Sequence, residues 1–483
     1  MNRKMVFNTI GRIAQTAAVL MLIPAAVALI YREYESLFAF LITAAVSFVA
    51  GLVILLITRT KNRVIYAKEG FAITALAWVV MALVGAVPFT LSGEIPSYVD
   101  AVFETVSGFT TTGASILTDV EAMSRSMLFW RSFSHWIGGM GVLVFVMAII
   151  PNISDRSIHI MRAEMPGPII GKLVPRVKDT AKILYLIYIV LTLIQIVLLC
   201  AGGMPLFESF INTFGTAGTG GFSSKADSIA SYSPFCQWII AIFMLFFGIN
   251  FNIYYLLLLR RIRTAFKSSE LWCYLGIVAV SVGCITANIM PIYKSFSLAL
   301  RNSVFQVASV ISTTGFATVD FNLWPGFSKT ILLLLMFSGA CAGSTAGGLK
   351  VSRIVMLFKA VLNEIRNMLH PRSVSKIHFE GKALEDNTIK SVTIYFVIYM
   401  MCLLGILLLI AFEPFGFETN FSAVVACFNN VGPGFGEVGP ASNYAAYTNI
   451  SKVLLSVAML LGRLEIFPII IAFSPHVLFN KKQ

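Results

Sequence analysis

Four short stretches that end in glycine interrupt a very apolar chain, about a hundred residues apart: Thr110-Thr111-Thr112-Gly113, Gly215-Thr216-Ala217-Gly218, Ser312-Thr313-Thr314-Gly315 and Asn429-Asn430-Val431-Gly432. Each lies between two long apolar runs. Lipid offers no hydrogen-bond partner, so irregular backbone at membrane depth survives only when buried in protein or lining a watery cavity. Four copies around one axis would direct backbone carbonyls at a common centre, which is how a cation filter is built.

Composition agrees with a membrane setting. Of 483 residues, 57% are hydrophobic and 12% charged. The apolar runs are continuous over about 20 residues, which suits α-helical spans. Alternation, the mark of a membrane β-barrel, is missing. Ten spans are expected, at about 10–30, 37–57, 71–91, 127–150, 183–201, 237–259, 271–289, 330–349, 391–411 and 453–473. The first is read as an uncleaved anchor. Seven cysteines with no CxxC pair read as small buried hydrophobes, and the five histidines have no ligand spacing.

The net charge of +13 could suggest nucleic acid, but its distribution argues against it. Of the 36 Lys and Arg, 27 fall on one side of the spans and 7 on the other, while acidic residues divide 9 to 13. The first side is therefore cytoplasmic and holds both termini. The opposite face is net negative and concentrates cations at an external mouth.

After two leading spans (1–66) the order span, polar stretch, glycine motif, span recurs four times, in units 67–150, 181–269, 270–358 and 387–483, with cytoplasmic segments at 151–180 and 359–386. The fold expected is an all-α integral membrane protein with pseudo-fourfold symmetry around one pore. Before each motif a stretch too short to cross reads as a re-entrant helix: Val99 to Phe109, Pro205 to Phe214, Ser297 to Ile311 and Ser422 to Phe428. Phe103-Glu104 and Phe207-Glu208 look like matching starts for two of them. Such half-helices aim their negative C-terminal ends at the midplane, where a cation is favoured. The candidate filter residues are Thr111, Thr112 and Gly113, then Ala217, Gly218 and Thr219, then Thr314 and Gly315, then Val431 and Gly432. Gly220 and Gly221 leave open which glycine faces the axis in the second unit.

The single glycines, the run His135-Trp136-Ile137-Gly138-Gly139-Met140-Gly141-Val142 and the run Gly347-Gly348-Leu349-Lys350-Val351-Ser352-Arg353 together resemble the bacterial Trk potassium-uptake membrane subunit, the TrkH-type branch of the Trk/Ktr/HKT superfamily. The resemblance covers the whole chain. It implies four span–pore-helix–span units around one potassium pathway in the bacterial inner membrane. It also implies a homodimer, and a cytosolic ring of TrkA-like nucleotide-binding regulatory subunits docked beneath. The filter glycines carry over to Gly113, Gly218, Gly315 and Gly432.

In the third unit, Gly339, Gly343 and Gly347 fall four apart, with Ser344, Thr345 and Gly348 among them. Spacing alone fits a small-residue packing face. The resemblance implies instead a broken helix whose loop, 339–348, gates the pore. Arg463 stands inside the last span, where an unpaired charge costs on the order of 2.5–3.5 kcal/mol. It reads either as a structural pair with carboxylate or carbonyls of another unit or, as the resemblance implies, as a pore-lining barrier below the filter. Glu465 is a poor partner on the same helix. Arg131 can snorkel to the interface and gets no role, and a structural hydrogen bond accounts for His135.

No P-loop or dinucleotide fingerprint occurs, so any ATP, ADP or NAD effect must come through a partner, and no cofactor is expected beyond potassium as substrate. No polar catalytic cluster points to an enzyme. A potential of 100 mV supplies about 2.3 kcal/mol per charge, enough for roughly fifty-fold accumulation. Potassium and rubidium uptake through a passive pore is the expected function. Proton- or sodium-coupled symport and transport of a small organic solute are the alternatives.

Overall fold

The computed structural model describes residues 2–59, 67–141, 177–371 and 376–473. The expected end of the 127–150 span, the 151–176 part of the first cytoplasmic segment and the last ten residues lie outside them. Eighteen α-helices occur among the described residues. Helices α1 (Arg3–Tyr31) and α2 (Tyr34–Ile57) form a hairpin. They approach closely where Gly11 meets Gly51: a Cβ on either would press on the other's carbonyl oxygen. The hairpin packs on α3 (Ala67–Leu91).

A long helix followed by a short buried one then recurs. The pairs are α3 with α4 (Tyr98–Phe109), α6 (Val177–Ala201) with α7 (Leu206–Gly218), α11 (Ser269–Tyr293) with α12 (Phe296–Ile311), and α15 (Asp386–Ile410) with α16 (Phe417–Phe428). The fourth short helix starts at Phe417, earlier than its expected start at Ser422. Glu104 lies in the middle of α4 and Glu208 in the first turn of α7, so the two Phe-Glu pairs do not begin their helices in one register. The short helices form the core and are almost wholly buried, whereas α2, α6, α11 and α15 show large apolar side chains such as Val46, Val197, Val280 and Leu408 outward. An apolar belt around a polar-lined interior suits a lipid solvent.

After each short helix comes an outgoing helix: α5 (Arg125–Gly139), α8 (Pro234–Phe247), α13 (Gly326–Ser338) and α17 (Asn449–Arg463). Each packs on the short helix of the next unit, α5 on α7, α8 on α12 and α13 on α16, and α17 closes the circle on α4. Among the described residues, six helices are long and apolar enough to cross a membrane, and α8 with α9 (Phe251–Leu258), bent by 90°, would add a seventh. Four expected spans are therefore not continuous helices, the 127–150 run leaving helical form after Gly139. The 237–259 run breaks at Gly248, where Asn250 caps α9 by accepting from the Asn252 N–H at 3.0 Å. The 330–349 run stops at Ser338, and residues 339–350 are irregular before α14 (Val351–Leu369). The 453–473 run breaks after Arg463 and resumes as α18 (Phe467–Phe473). A four-residue helix α10 (Ile262–Ala265) and a two-stranded hairpin, His378–Phe379 with Lys382–Ala383, complete the described chain.

Candidate functional site

The four short helices end alike. Thr111, Thr219, Thr313 and Asn430 adopt left-handed backbone with φ of 56°, 57°, 57° and 57°. The next amide bonds five residues back: Thr112 to Ser107, Gly220 to Gly215, Thr314 to Ser309 and Val431 to Ala426, at 2.8–2.9 Å. That is the Schellman stop, a place usually given to glycine or asparagine. Three β-branched threonines there are outliers, held in place by the burial around them.

One residue further on, Gly113, Gly221, Gly315 and Gly432 have φ between 77° and 92°. A Cβ on Gly113 would overlap the Gly220 carbonyl oxygen, one on Gly221 that of Thr314, one on Gly315 that of Val431, and one on Gly432 that of Thr112. Each glycine therefore abuts the next unit and the fourth returns to the first, so the four segments form one closed ring. A cavity of about 150 Å³ on one side of the ring is lined by Gly113, Gly221, Gly315 and Gly432 together. Asn430 ties the ring laterally, donating to the Thr112 hydroxyl at 2.9 Å.

The second unit's register differs from the expected one. Ala217 and Gly218 are the last two residues of α7, and Gly218 packs against the His135 backbone. Thr219, Gly220 and Gly221 occupy the places that Thr111, Thr112 and Gly113 hold in the first unit. A sequence signal for this exists: Thr or Asn stands two residues before Gly113, Gly221, Gly315 and Gly432, and Phe follows both Gly221 and Gly315.

On the other side of the ring lies the 339–350 loop. Gly339, Gly343 and Gly348 have positive φ. The Gly347 N–H donates to the Thr313 hydroxyl at 2.7 Å, and a Cβ on Gly347 would meet the Asn429 carbonyl and the Asn430 side chain. Thr345 bonds the Phe247 carbonyl through its hydroxyl at 3.2 Å, Ser344 closes a turn onto Cys341, and Phe251 N–H donates to the Gly343 carbonyl at 3.0 Å. The loop is thus stitched into the break between α8 and α9. Glu270, buried in the first turn of α11, accepts from the Ala342 N–H at 2.7 Å. All six residues singled out in the sequence for the loop fall in this irregular segment, which is no helix-packing face.

Arg463 is the last residue of α17 rather than a mid-helix charge. Its guanidinium donates to the Thr345 carbonyl at 2.6 Å and to those of Gly138 and Gly139 at 2.6 and 2.8 Å, which belong to the third and first units. With Gly343, Ser344, Gly347 and Gly348 it lines a cavity of about 50 Å³ beneath the ring. Glu465 pairs with buried Arg353 on α14. Arg131 does not snorkel. It is buried and paired with Glu104 at 2.7 Å. His135 is structural, bonded to the Gly108 carbonyl at 2.7 Å and to the Phe222 N–H at 3.3 Å.

The family model described as TrkH, cation transport protein, matches residues 36–275 and 289–481. The "Trk system potassium uptake protein TrkH" of Salmonella typhimurium is 37% identical over 97% of this chain and 99% of its own length. The "Trk system potassium uptake protein TrkG" of Escherichia coli K12 is 35% identical, covering 94% of each chain. The crystal structure of the potassium transporter TrkH from Vibrio parahaemolyticus superposes with a TM-score of 0.89 at 31% identity, over 99% of this chain and 100% of that one.

Proposed function

Since the chain belongs to the TrkH family of cation transport proteins, we propose that it takes up potassium, and rubidium with it, across the bacterial cytoplasmic membrane through a single pore. The observation that carries this is the closed ring in which Gly113, Gly221, Gly315 and Gly432 each abut the carbonyl oxygen preceding the next unit's glycine. Those oxygens, of Thr112, Gly220, Thr314 and Val431, replace the water around an ion. The four short helices direct their C-terminal ends at the ring and add favourable potential. One glycine per unit makes a short filter.

The ring admits ions from outside, through the cavity lined by its four glycines. Beneath it the 339–350 loop is the gate and Arg463 the barrier. The loop touches the ring at Thr313 and Asn430, and a cation below the filter repels potassium and limits leak. Relatives carry Trk-system names. A cytosolic nucleotide-binding regulatory ring acting on the segments 151–180 and 359–386, and a homodimer, belong to the same reading. So do cytoplasmic termini, which the basic inner segments favour. Glu465, which a proton-coupled symporter would use as an intramembrane carboxylate, is committed to Arg353. That favours a pore driven by the membrane potential.

The test is reconstitution. Liposomes carrying the chain should take up radioactive rubidium under an inside-negative potential, and sodium much more slowly. Uptake no greater than in empty liposomes would end this reading.

A further inference from the structure

Among the buried charged groups that take no part in the mechanism above, the Glu104–Arg131 pair stands nearest the ring, and it belongs to one unit alone. Glu104, in the middle of α4, is fully buried and gathers four donors. The Arg131 guanidinium reaches its Oε1 through Nε at 2.8 Å and Nη2 at 2.7 Å. The Ser115 hydroxyl donates to the same oxygen at 3.0 Å, and the Ile116 N–H to Oε2 at 3.0 Å. Ser115 and Ile116 are the second and third links beyond the ring glycine Gly113. The pair therefore grips the strand that leaves the filter.

Its reach extends to two other units. The Arg131 guanidinium lies over the Phe222 ring at 4.1 Å, next to Gly221. The Ser115 carbonyl accepts from the Tyr444 N–H at 2.8 Å, and the Tyr444 hydroxyl donates to the Gly432 carbonyl at 2.8 Å. The positions equivalent to Glu104, nine residues before each ring glycine, hold Asn212, Gln306 and Ala423. None of these carries a charge. Arg131 also lines the cavity above the ring, and its Nη1 has no hydrogen-bond partner among the described residues.

The geometry points to Glu104 and Arg131 as positioning and specificity-determining residues: the pair fixes the first segment of the filter ring, and Glu104 cancels a guanidinium charge that would otherwise oppose cations entering the mouth. The inference rests on the filter reading above and deepens it. Two effects separate under mutation. Glu104→Gln leaves the Arg131 charge beside the mouth without its counter-charge. Glu104→Leu with Arg131→Met removes both charges and the grip together, replacing the pair by apolar groups that a buried site tolerates.

Rubidium and sodium uptake would be measured in liposomes, at matched amounts of protein that elutes as a single species in detergent. Glu104→Gln should lower rubidium uptake at least about tenfold, as expected when a like charge faces the ion. The double variant should regain most of that uptake but pass sodium several-fold more readily relative to rubidium. Ser115→Ala, which leaves the ion pair intact, should shift the ratio in the same direction by less; neither of these two variants strands a buried charge, so both remain informative if Glu104→Gln does not assemble. A double variant with the native rubidium-to-sodium ratio would overturn the inference. Failure of the unmodified chain to carry rubidium would instead sink the filter reading beneath it.

Discussion

Gly218 and Gly221 sit three residues apart, yet they answer to different forces. Gly221 has φ +77° and no room for a Cβ against the Thr314 carbonyl, whereas Gly218 is helical and tight only against the His135 backbone. Gly221→Ser should therefore distort the ring and lower the rubidium-to-sodium uptake ratio by about tenfold, the equivalent of roughly 1.4 kcal/mol. Gly218→Ala should cut the yield of folded protein while leaving that ratio unchanged in what remains. Paired flux assays at matched yield read the two outcomes. Arg463 gives a second test. Its guanidinium holds carbonyls of the loop and of α5, so Arg463→Ala removes a tie and, with it, the proposed barrier, and rubidium uptake should rise several-fold at equal surface expression. Unchanged or reduced uptake would count against the barrier role. Gly113, Gly315 and Gly432 stand out in the sequence because Gly113 and Gly315 each end a run of hydroxylated residues and Gly432 follows Asn429-Asn430 by two positions. The second unit's does not, because that unit offers Gly215, Gly218, Gly220 and Gly221 within seven residues. Only the point where α7 stops selects among them. Arg131 was misread for a related reason: its partner is 27 residues distant and meets it only across the fold.

At the level of elements, the breaks matter more than the helices. The Gly-Ser-Thr run at 339–348 announced a weak helix, and the chain leaves helical form there. The break at Gly248–Asn250 was hidden, because Phe247 and Phe251 keep the run apolar while a single Asn side chain recaps it. The two breaks depend on each other: Cys341 N–H donates to the Gly248 carbonyl at 3.1 Å and Phe251 N–H to the Gly343 carbonyl at 3.0 Å. Glu270 adds the carboxylate that holds Ala342. Its helix N-terminus is held in turn by the two-stranded hairpin, since Glu380 accepts from the Glu270 N–H at 2.9 Å. A hydrogen bond to a charged group contributes about 1.5–3 kcal/mol. Glu270→Gln should accordingly loosen the loop, raising amide hydrogen exchange across 339–350 and rubidium uptake together. Faster exchange with unaltered uptake would show that the loop moves without gating the path.

Across the whole molecule, the packed units form a closed circle within one chain, which is what the proposed single pore requires. Each outgoing helix braces the neighbouring unit's short helix, and the last braces the first, so no unit can leave without opening two interfaces. The apolar belt was plain from hydropathy, since lipid acts on every span alike. The breaks inside the expected spans at 237–259 and 453–473 were hidden, because a 20-residue apolar run does not report a break in the middle. The same architecture sets the energetics of transport. Among the described residues, the carboxylate lining the cavity beneath the ring is that of Glu465, and its pairing with Arg353 leaves it poorly suited to carry a proton alongside the ion. Current through the reconstituted chain should then reverse at the potassium equilibrium potential, about 59 mV for a tenfold gradient of a monovalent ion. A pH gradient imposed across the bilayer should leave that potential in place. Were potassium flow coupled to one proton, the reversal would move with the pH difference, and a measured displacement would replace the passive pore with a symporter using the same ring.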